Sequence, residues 1–258
     1  MLRTVTVNRY VTPLREGGSM PAVVEADDQG LYVLKFRGAG QGVKALLAEL
    51  IAGGIARQLG LPVPEIVLAE LDPELARTEP DPEIQDLVRA SGGLNVGLDY
   101  LPGALNFDPV ADAVDADLAS RVVWFDALVG NVDRTARNTN LLMWHRKPWL
   151  IDHGAALTFH HAWDGTVADP GKPFAPIRDH VLLPTASRLT EVDAELATRL
   201  PRTALEALLA DVPGAWLEQA GDGPLAQAGS HRQAYVDYFA ARLAERTRWL
   251  KEANDARA

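Results

Sequence analysis

The first third of the chain alternates between apolar and polar residues in short runs, a period that is typical of β-strands. The alternation predicts strands over residues 3–10, 21–27, 31–37, 65–71 and 93–101. The second and third of these runs are separated by Asp28-Gln29-Gly30, which predicts a β-hairpin with the glycine at the position of positive φ. We therefore expect a sheet-rich beginning.

From residue 43 the apolar positions change to a helical period. This pattern predicts one helix over residues 43–59, which Gly60 and the prolines that follow it end. The later pattern is mainly helical. It predicts a short helix within 72–91 and further helices over 117–130, 201–211 and 231–253. Between them it predicts a strand pair over 139–144 and 148–152 and an irregular loop over 160–187. A boundary between the two parts is expected near residues 90–104.

Composition narrows the possible functions of the 258 residues. A net charge of -10 argues against direct binding to nucleic acid or to anionic membranes, which requires a basic surface. The chain has no cysteine, so disulfides and thiol catalysis are excluded. The histidines show no metal-ligand spacing, and no apolar run is long enough to predict a membrane span. We expect a cytoplasmic location.

Residues 130–154 contain the strongest candidates for chemistry. Asp133 is followed five positions later by Asn138, and Asp152 stands at the end of the predicted strand pair. Phosphoryl transfer needs a carboxylate to orient a nucleophile and oxygen ligands to hold Mg²⁺, and these residues supply both. The spacing also occurs at Asp126 and Asn131, so on spacing alone a loop aspartate that caps a turn is about as good an interpretation.

Lys35 lies within a β-run of apolar residues, where a lysine is costly to bury without a partner. Glu49 on the following helix has no basic neighbour at helical spacing, so it is a candidate partner. Taken alone, a lysine at a sheet edge and a solvated glutamate remain the simpler interpretation. The glycine-rich stretches 17–19 and 38–42 could place backbone N–H groups against phosphates, although neither matches a P-loop.

Together, and in this order, these pieces resemble the HipA-like kinases of bacteria. The resemblance is carried by GGSMPAVV (17–24), YVLKF (32–36), AELIAGGIARQLGLPVPE (48–65), GNVDRTARN (130–138) and LIDHG (150–154). It implies an α+β, two-lobed protein-kinase-like fold. A β-rich N-lobe with one long helix would span residues 1–100, and a mainly helical C-lobe would span residues 101–258.

The resemblance also implies roles for single residues. Lys35 would contact the α- and β-phosphates of ATP and pair with Glu49, with Gly18 and Ser19 nearby in the glycine-rich loop. Asp133 would be the catalytic base, while Asn138 and Asp152 would hold Mg²⁺. ATP would lie between the lobes near residues 35, 97–101 and 152.

The best-known members of the family are toxins that phosphorylate a serine of an aminoacyl-tRNA synthetase and are restrained by a DNA-binding antitoxin. A protein substrate, an antitoxin-like partner and autophosphorylation at Ser19 are the corresponding expectations here, although the chain resembles a stand-alone branch. Two alternatives stay open. The first is a kinase of the same fold that acts on a small molecule or lipid, and the second is a degenerate kinase that serves as a binding module.

Overall fold

Five strands of the first hundred residues close into a small β-barrel. The computed structural model describes residues 2–14, 20–167 and 169–257. Its barrel strands are β1 (Thr4–Pro13), β2 (Ala22–Ala26), β3 (Leu31–Lys35), β4 (Ile66–Leu71) and β5 (Gly93–Asp99), in the order β1-β2-β3-β5-β4. Neighbouring strands run antiparallel except for β1 and β4, which pair in parallel and close the barrel. Each strand corresponds to one of the predicted alternating runs.

The turn between β2 and β3 differs in detail from its prediction. The residue with positive φ is Gln29, at 64°, and not Gly30. Gly30 donates its N–H to the Asp28 carboxylate at 2.9 Å. A Cβ at this position would lie 2.8 Å from the ring of Tyr32, so the glycine is required for space and not for its backbone angle.

A helix, α1 (Val43–Gln58), packs against β4 and β5 on one side and against the helical part of the chain on the other. It corresponds to the helix predicted over residues 43–59. A short helix, α2 (Pro82–Ala90), covers the barrel instead, and it begins at Asp81, whose carboxylate accepts the N–H of Glu83. The apolar interior forms two clusters, one inside the barrel under α2 and a larger one around α1 and the later helices.

The remaining helices are α3 (Ala116–Val129), α4 (Leu189–Thr198), α5 (Arg202–Ala210), α6 (Gly214–Ala220), α7 (Ala228–Ala244) and α8 (Arg246–Arg257). The single helix predicted over residues 231–253 is wrong, because the chain bends at Glu245 and forms α7 and α8. The bend turns Trp249 into the core, where it packs edge-on against Trp124 with ring centroids 5.4 Å apart. The sequence pattern does not predict α4 or α6.

The predicted strand pair near residue 145 forms, and a third strand joins it. Strands β6 (Leu105–Asn106), β7 (Leu141–Trp144) and β8 (Lys147–Leu150) make an antiparallel sheet. His145 and Arg146 both have positive φ, 49° and 64°, as a two-residue hairpin turn of type I′ requires. The chain leaves this sheet at Asp152, beside the end of the loop that begins after α3.

Helix accounts for 46% of the structure and strand for 18%, in agreement with the predicted mixture of α and β elements. The division into lobes at residues 100 and 101 stays a prediction. Within the described ranges, no helix combines the length and the apolar character that a membrane span needs.

Candidate active site

Lys35 and Asp152 meet in a direct ion pair. Lys35 is the last residue of β3, and its Nζ lies 2.8 Å from Oδ1 of Asp152. The lysine side chain is 11% exposed and the aspartate 39%, so the pair lies at an opening and not in the deep core. Burial would lower the pKa of Lys35, but the charges of Glu49 and Asp152 outweigh it and raise that pKa. Lys35 is therefore a fixed cation at neutral pH.

Glu49 is bound by the residue that follows Asp152. Its Oε2 accepts the backbone N–H of His153 at 3.0 Å, and its Oε1 lies 3.2 Å from the ring Nδ1 of the same histidine. Burial would raise the pKa of Glu49, but the hydrogen bond from His153 and the charge of Lys35 hold it well below its usual range. Glu49 thus acts on Lys35 through its charge, whereas the ion pair of Lys35 within the described ranges is with Asp152.

Asp133 and Asn138 face each other across the loop that joins α3 to β7. Oδ2 of Asp133 accepts a hydrogen bond from Nδ2 of Asn138 at 2.8 Å and a second from Nδ2 of Asn140 at 3.2 Å. Asn140 also donates to the main-chain oxygen of Asp133 at 3.0 Å. No donor in the described part of the chain reaches Oδ1 of Asp133, so this oxygen is left to accept a proton.

The loop carboxylate and the Lys35–Asp152 pair belong to one site. The charge of Asp133 is among the influences that raise the pKa of Lys35. The main chain supports this arrangement, because Ile151 donates its N–H to the oxygen of Asn140 at 3.1 Å. A continuous set of contacts therefore joins Lys35, Glu49, Asp133, Asn138 and Asp152.

The first of the two glycine-rich stretches, residues 17–19, lies outside the residues that the structure describes. Gly18 and Ser19 are not among the described residues, so their predicted contacts stay predictions. The second stretch, 38–42, forms turns that lead directly into α1, with Gly42 preceding the first helical residue.

The pair Asp126 and Asn131, which repeats the spacing of Asp133 and Asn138, has a different place. Both side chains are buried, and Asn131 donates to Asp126 at 2.9 Å. Arg134 and His180 also bind Asp126, at 2.6 and 2.8 Å. This pair is thus a buried support for the loop and cannot reach a ligand directly.

Sequence reasoning did not select Asn140, His153 or His180 as parts of this region. Asn140 has a φ of 47°, a conformation that asparagine tolerates better than most residues, but the sequence pattern does not show that the chain adopts it there. For His153, the only signal in the sequence is its position directly after Asp152. His180 stands in an irregular stretch far along the chain, where no spacing relates it to the loop.

The exposed oxygens fit a hard divalent cation such as Mg²⁺. Asn138 is exposed and binds Asp133 through its Nδ2 atom, which leaves its carbonyl oxygen as a possible ligand, while Asp152 has a second carboxylate oxygen beyond the one paired with Lys35. Across the described ranges, no group of three or more His, Cys, Asp or Glu side chains could hold a metal alone. Mg²⁺ commonly takes one or two protein oxygens and completes its shell with phosphates and water, so the donor set suits it.

Comparison with known proteins supports this picture of the fold. The "Helicobacter pylori proinflammatory kinase CtkA" is similar over 99% of this chain and 98% of its own, with a TM-score of 0.52 and 11% identity, which supports a shared kinase-like fold. Two structures of the Golgi casein kinase, one with Mn/ADP bound, give TM-scores of 0.46 and 0.47. They are 12% and 13% identical to this chain and cover 97% and 95% of it and 72% of their own chains.

No curated protein matches the sequence. The sequence profile of the HipA-like kinases, in contrast, matches residues 7–235. This range contains the barrel, α1, the loop with Asp133 and Asn138, and Asp152. The chain therefore belongs to the HipA-like kinase family.

Proposed function

We propose that this kinase transfers the γ-phosphoryl group of ATP to a hydroxyl group, with serine or threonine of a protein as the acceptor. The observation that carries the proposal is the 2.8 Å ion pair between Lys35 and Asp152, next to which Ile151 binds Asn140, the residue whose amide holds Asp133. Phosphoryl transfer depends on positioning and on neutralising the phosphate charges, and this cluster combines a fixed cation with acidic oxygens at an opening.

In this proposal ATP lies between an N-lobe of residues 1–100 and a C-lobe of residues 101–258, near residues 35, 97–101 and 152. Lys35 contacts the α- and β-phosphates. Glu49 keeps the amine charged, and its two contacts with His153 hold the backbone next to Asp152. The lobes would thus be coupled through α1, which packs on both parts of the chain.

Asn138 and Asp152 are the residues that would hold Mg²⁺. The bound ion neutralises negative charge on the phosphates of the nucleotide. Both oxygens come from the edge of one loop and the end of β8, and neither is part of the buried core. Asn138 is oriented by its hydrogen bond to Asp133, so the metal ligand and the proposed base position each other.

Asp133 is the proposed catalytic base. The acceptor oxygen forms a bond to the γ-phosphorus while the bond between that phosphorus and the bridging oxygen of ADP breaks, and the hydroxyl proton passes to the Asp133 carboxylate. Because Oδ2 already accepts two amide hydrogen bonds, Oδ1 is the oxygen available for this proton. The two amides also fix the carboxylate plane, which favours one approach of the acceptor.

The acceptor is tested by incubating the protein with labelled ATP, Mg²⁺ and a cell lysate, followed by mass spectrometry of the labelled products. Label on serine or threonine of a protein supports the proposal. Label in a small-molecule or lipid fraction would assign a different acceptor to the same chemistry, and no label at all would favour a nucleotide-binding module. Label on the protein itself at Ser19 would support the predicted autophosphorylation, and co-purification with a small DNA-binding protein would support an antitoxin-like partner.

A further inference from the structure

One buried carboxylate lies beneath the loop that carries Asp133 and Asn138. Asp126, on α3, is fully buried and accepts hydrogen bonds from two side chains of the first half of the loop and from one side chain of a distant segment. Asn131 binds Oδ1 at 2.9 Å, while Arg134 and His180 bind Oδ2 at 2.6 and 2.8 Å. A buried carboxylate is stable only when its charge is compensated in this way.

The protonation of His180 follows from its partners. The backbone N–H of Leu182 donates to Nδ1 of His180 at 3.0 Å, so Nδ1 is an acceptor. The ring proton therefore lies on Nε2, which donates to Asp126. Burial lowers the pKa of His180 despite its bond to Asp126, in agreement with a neutral ring. Arg134 then balances the charge of Asp126, and His180 contributes orientation without adding charge.

Two of the three partners of Asp126 also bind Asp133 or the residue that holds it. Asn131 accepts the backbone N–H of Asp133 at 3.1 Å. Arg134 donates to the main-chain oxygen of Asn140, the residue whose amide binds Asp133. Asp126 therefore acts on the position of Asp133 from two sides, through Asn131 on one side and through Arg134 and Asn140 on the other.

His180 connects the loop to the irregular segment before α4. His180 and Thr135 form an antiparallel bridge, and Val181 donates its N–H to the main-chain oxygen of Arg134 at 3.0 Å. The end of this segment is thus attached to the loop by its main chain as well as by the imidazole. Although its sequence shows no regular pattern, this segment holds the loop through defined contacts.

We propose that Asp126 and His180 are positioning residues that set the orientation of the Asp133 carboxylate for phosphoryl transfer. The role deepens the proposed function and rests on it. Neither residue reaches the acceptor or the nucleotide, since both are buried. Their effect passes through Asn131, Arg134 and Asn140 to Asp133, so it should appear in the rate of the chemical step and not in nucleotide affinity.

Two substitutions of His180 separate its contacts. In His180→Gln the side-chain amide can still donate to Asp126, because its nitrogen lies at the distance of Nε2. In His180→Asn the shorter amide can still accept the N–H of Leu182 but cannot reach Asp126. We expect His180→Asn to lower kcat roughly tenfold to a hundredfold, with KM for ATP within about twofold, and His180→Gln to recover most of the rate.

Hydrogen exchange and urea unfolding complete the test. Peptides covering residues 131–140 should exchange faster in His180→Asn than in His180→Gln or the wild type. Equal kcat values in the two variants or unaltered exchange would overturn the positioning role. So would a loss of kcat no larger than the loss of folded protein that urea unfolding measures for the same variant. A wild-type protein that transfers no phosphate would instead refute the proposed function, and the exchange measurement would still show whether His180 braces the loop.

Discussion

At the level of single residues, Asp152 joins the two parts of the site. It leaves β8 with a φ of 55°, pairs with Lys35 on the barrel and precedes His153, which binds Glu49 on α1. A non-glycine residue in this conformation is held there by its surroundings. The strained position is the one at which the chain needs a carboxylate.

Asp152→Ala should weaken Mg²⁺-dependent nucleotide binding. The substitution removes one of two proposed metal ligands and the ion-pair partner of Lys35, so we expect affinity to fall at least roughly tenfold. Calorimetric titration with ATP, with and without Mg²⁺, measures the effect. Asp86→Ala, at an 80% exposed position on α2, is the control and should bind as the wild type does. Equal affinity in Asp152→Ala would refute the metal role.

Glu49→Gln should change how stability depends on pH. The folded-state pKa of Glu49 lies below its ordinary value of 4.5, so its stabilising contribution is fully present above that value and is lost as the pH falls through the folded pKa. We expect the variant to be less stable by about 3 kcal/mol at pH 7, the scale for removing one partner of a buried charge pair.

The test is the difference in the free energy of unfolding between wild type and Glu49→Gln, measured in urea at several pH values. The difference should be constant from pH 7 to about pH 5 and should shrink at lower pH. Taking a difference removes the contributions of the other carboxylates, Asp126 among them. A gap that stays constant down to the lowest pH would contradict an ionised, stabilised Glu49.

The site residues that the sequence predicts and those that it does not predict differ in the kind of contact they make. Lys35, Asp133, Asn138 and Asp152 stand in local contexts that carry a signal, such as a charge inside a β-run or an acid after a strand. Asn140 and His180 act through hydrogen bonds to main-chain atoms or to a buried carboxylate. Such contacts depend on the folded path of the chain, and no periodicity or motif expresses them.

At the level of elements, α3 has a firmly held end from which the loop starts. Arg242 of α7 is buried and donates to the main-chain oxygens of Ala127 and Leu128 at 2.7 and 2.8 Å. Carbonyl groups at a helix end lack partners within the helix, and a cation satisfies them well. Gly130 then ends α3 in the left-handed conformation, with φ 63°, which glycine adopts without steric cost.

The connection between α6 and α7 depends on Gly221. A Cβ on this residue would lie 2.1 Å from the main-chain oxygen of Leu225, which no side-chain movement can relieve. Gly221→Ala should therefore lower the free energy of unfolding by about 2 kcal/mol. Gly229→Ala on α7, where a Cβ meets nothing within 4 Å, is the matched control and should change it little. Equal stability in the two variants, measured by urea unfolding, would contradict the close contact.

The sequence predicts most of the elements, but it does not predict all of their ends or their pairing. All five barrel strands and α1 follow from local periodicity, which short sequence windows express. The break between α7 and α8 does not, because it depends on Trp249 packing against Trp124, a residue more than a hundred positions earlier. The parallel pairing of β1 with β4 is likewise non-local.

At the level of the whole molecule, the site lies where two apolar clusters meet. Lys35 ends a strand of the barrel cluster, while Glu49 lies on a helix of the larger one. Family membership supports a kinase, and this arrangement explains how the chain brings a barrel lysine to acids that follow it by about a hundred residues. The acceptor depends on surfaces that neither periodicity nor these contacts define.

The most direct test of the account is phosphoryl transfer by the wild type and by Asp133→Asn, measured side by side with labelled ATP, together with ATP affinity. We expect transfer to fall at least roughly a hundredfold in the variant, the scale of general-base catalysis, while the affinity for ATP stays within about twofold. Asp86→Asn should transfer as the wild type does. Equal transfer by Asp133→Asn and the wild type would contradict the account.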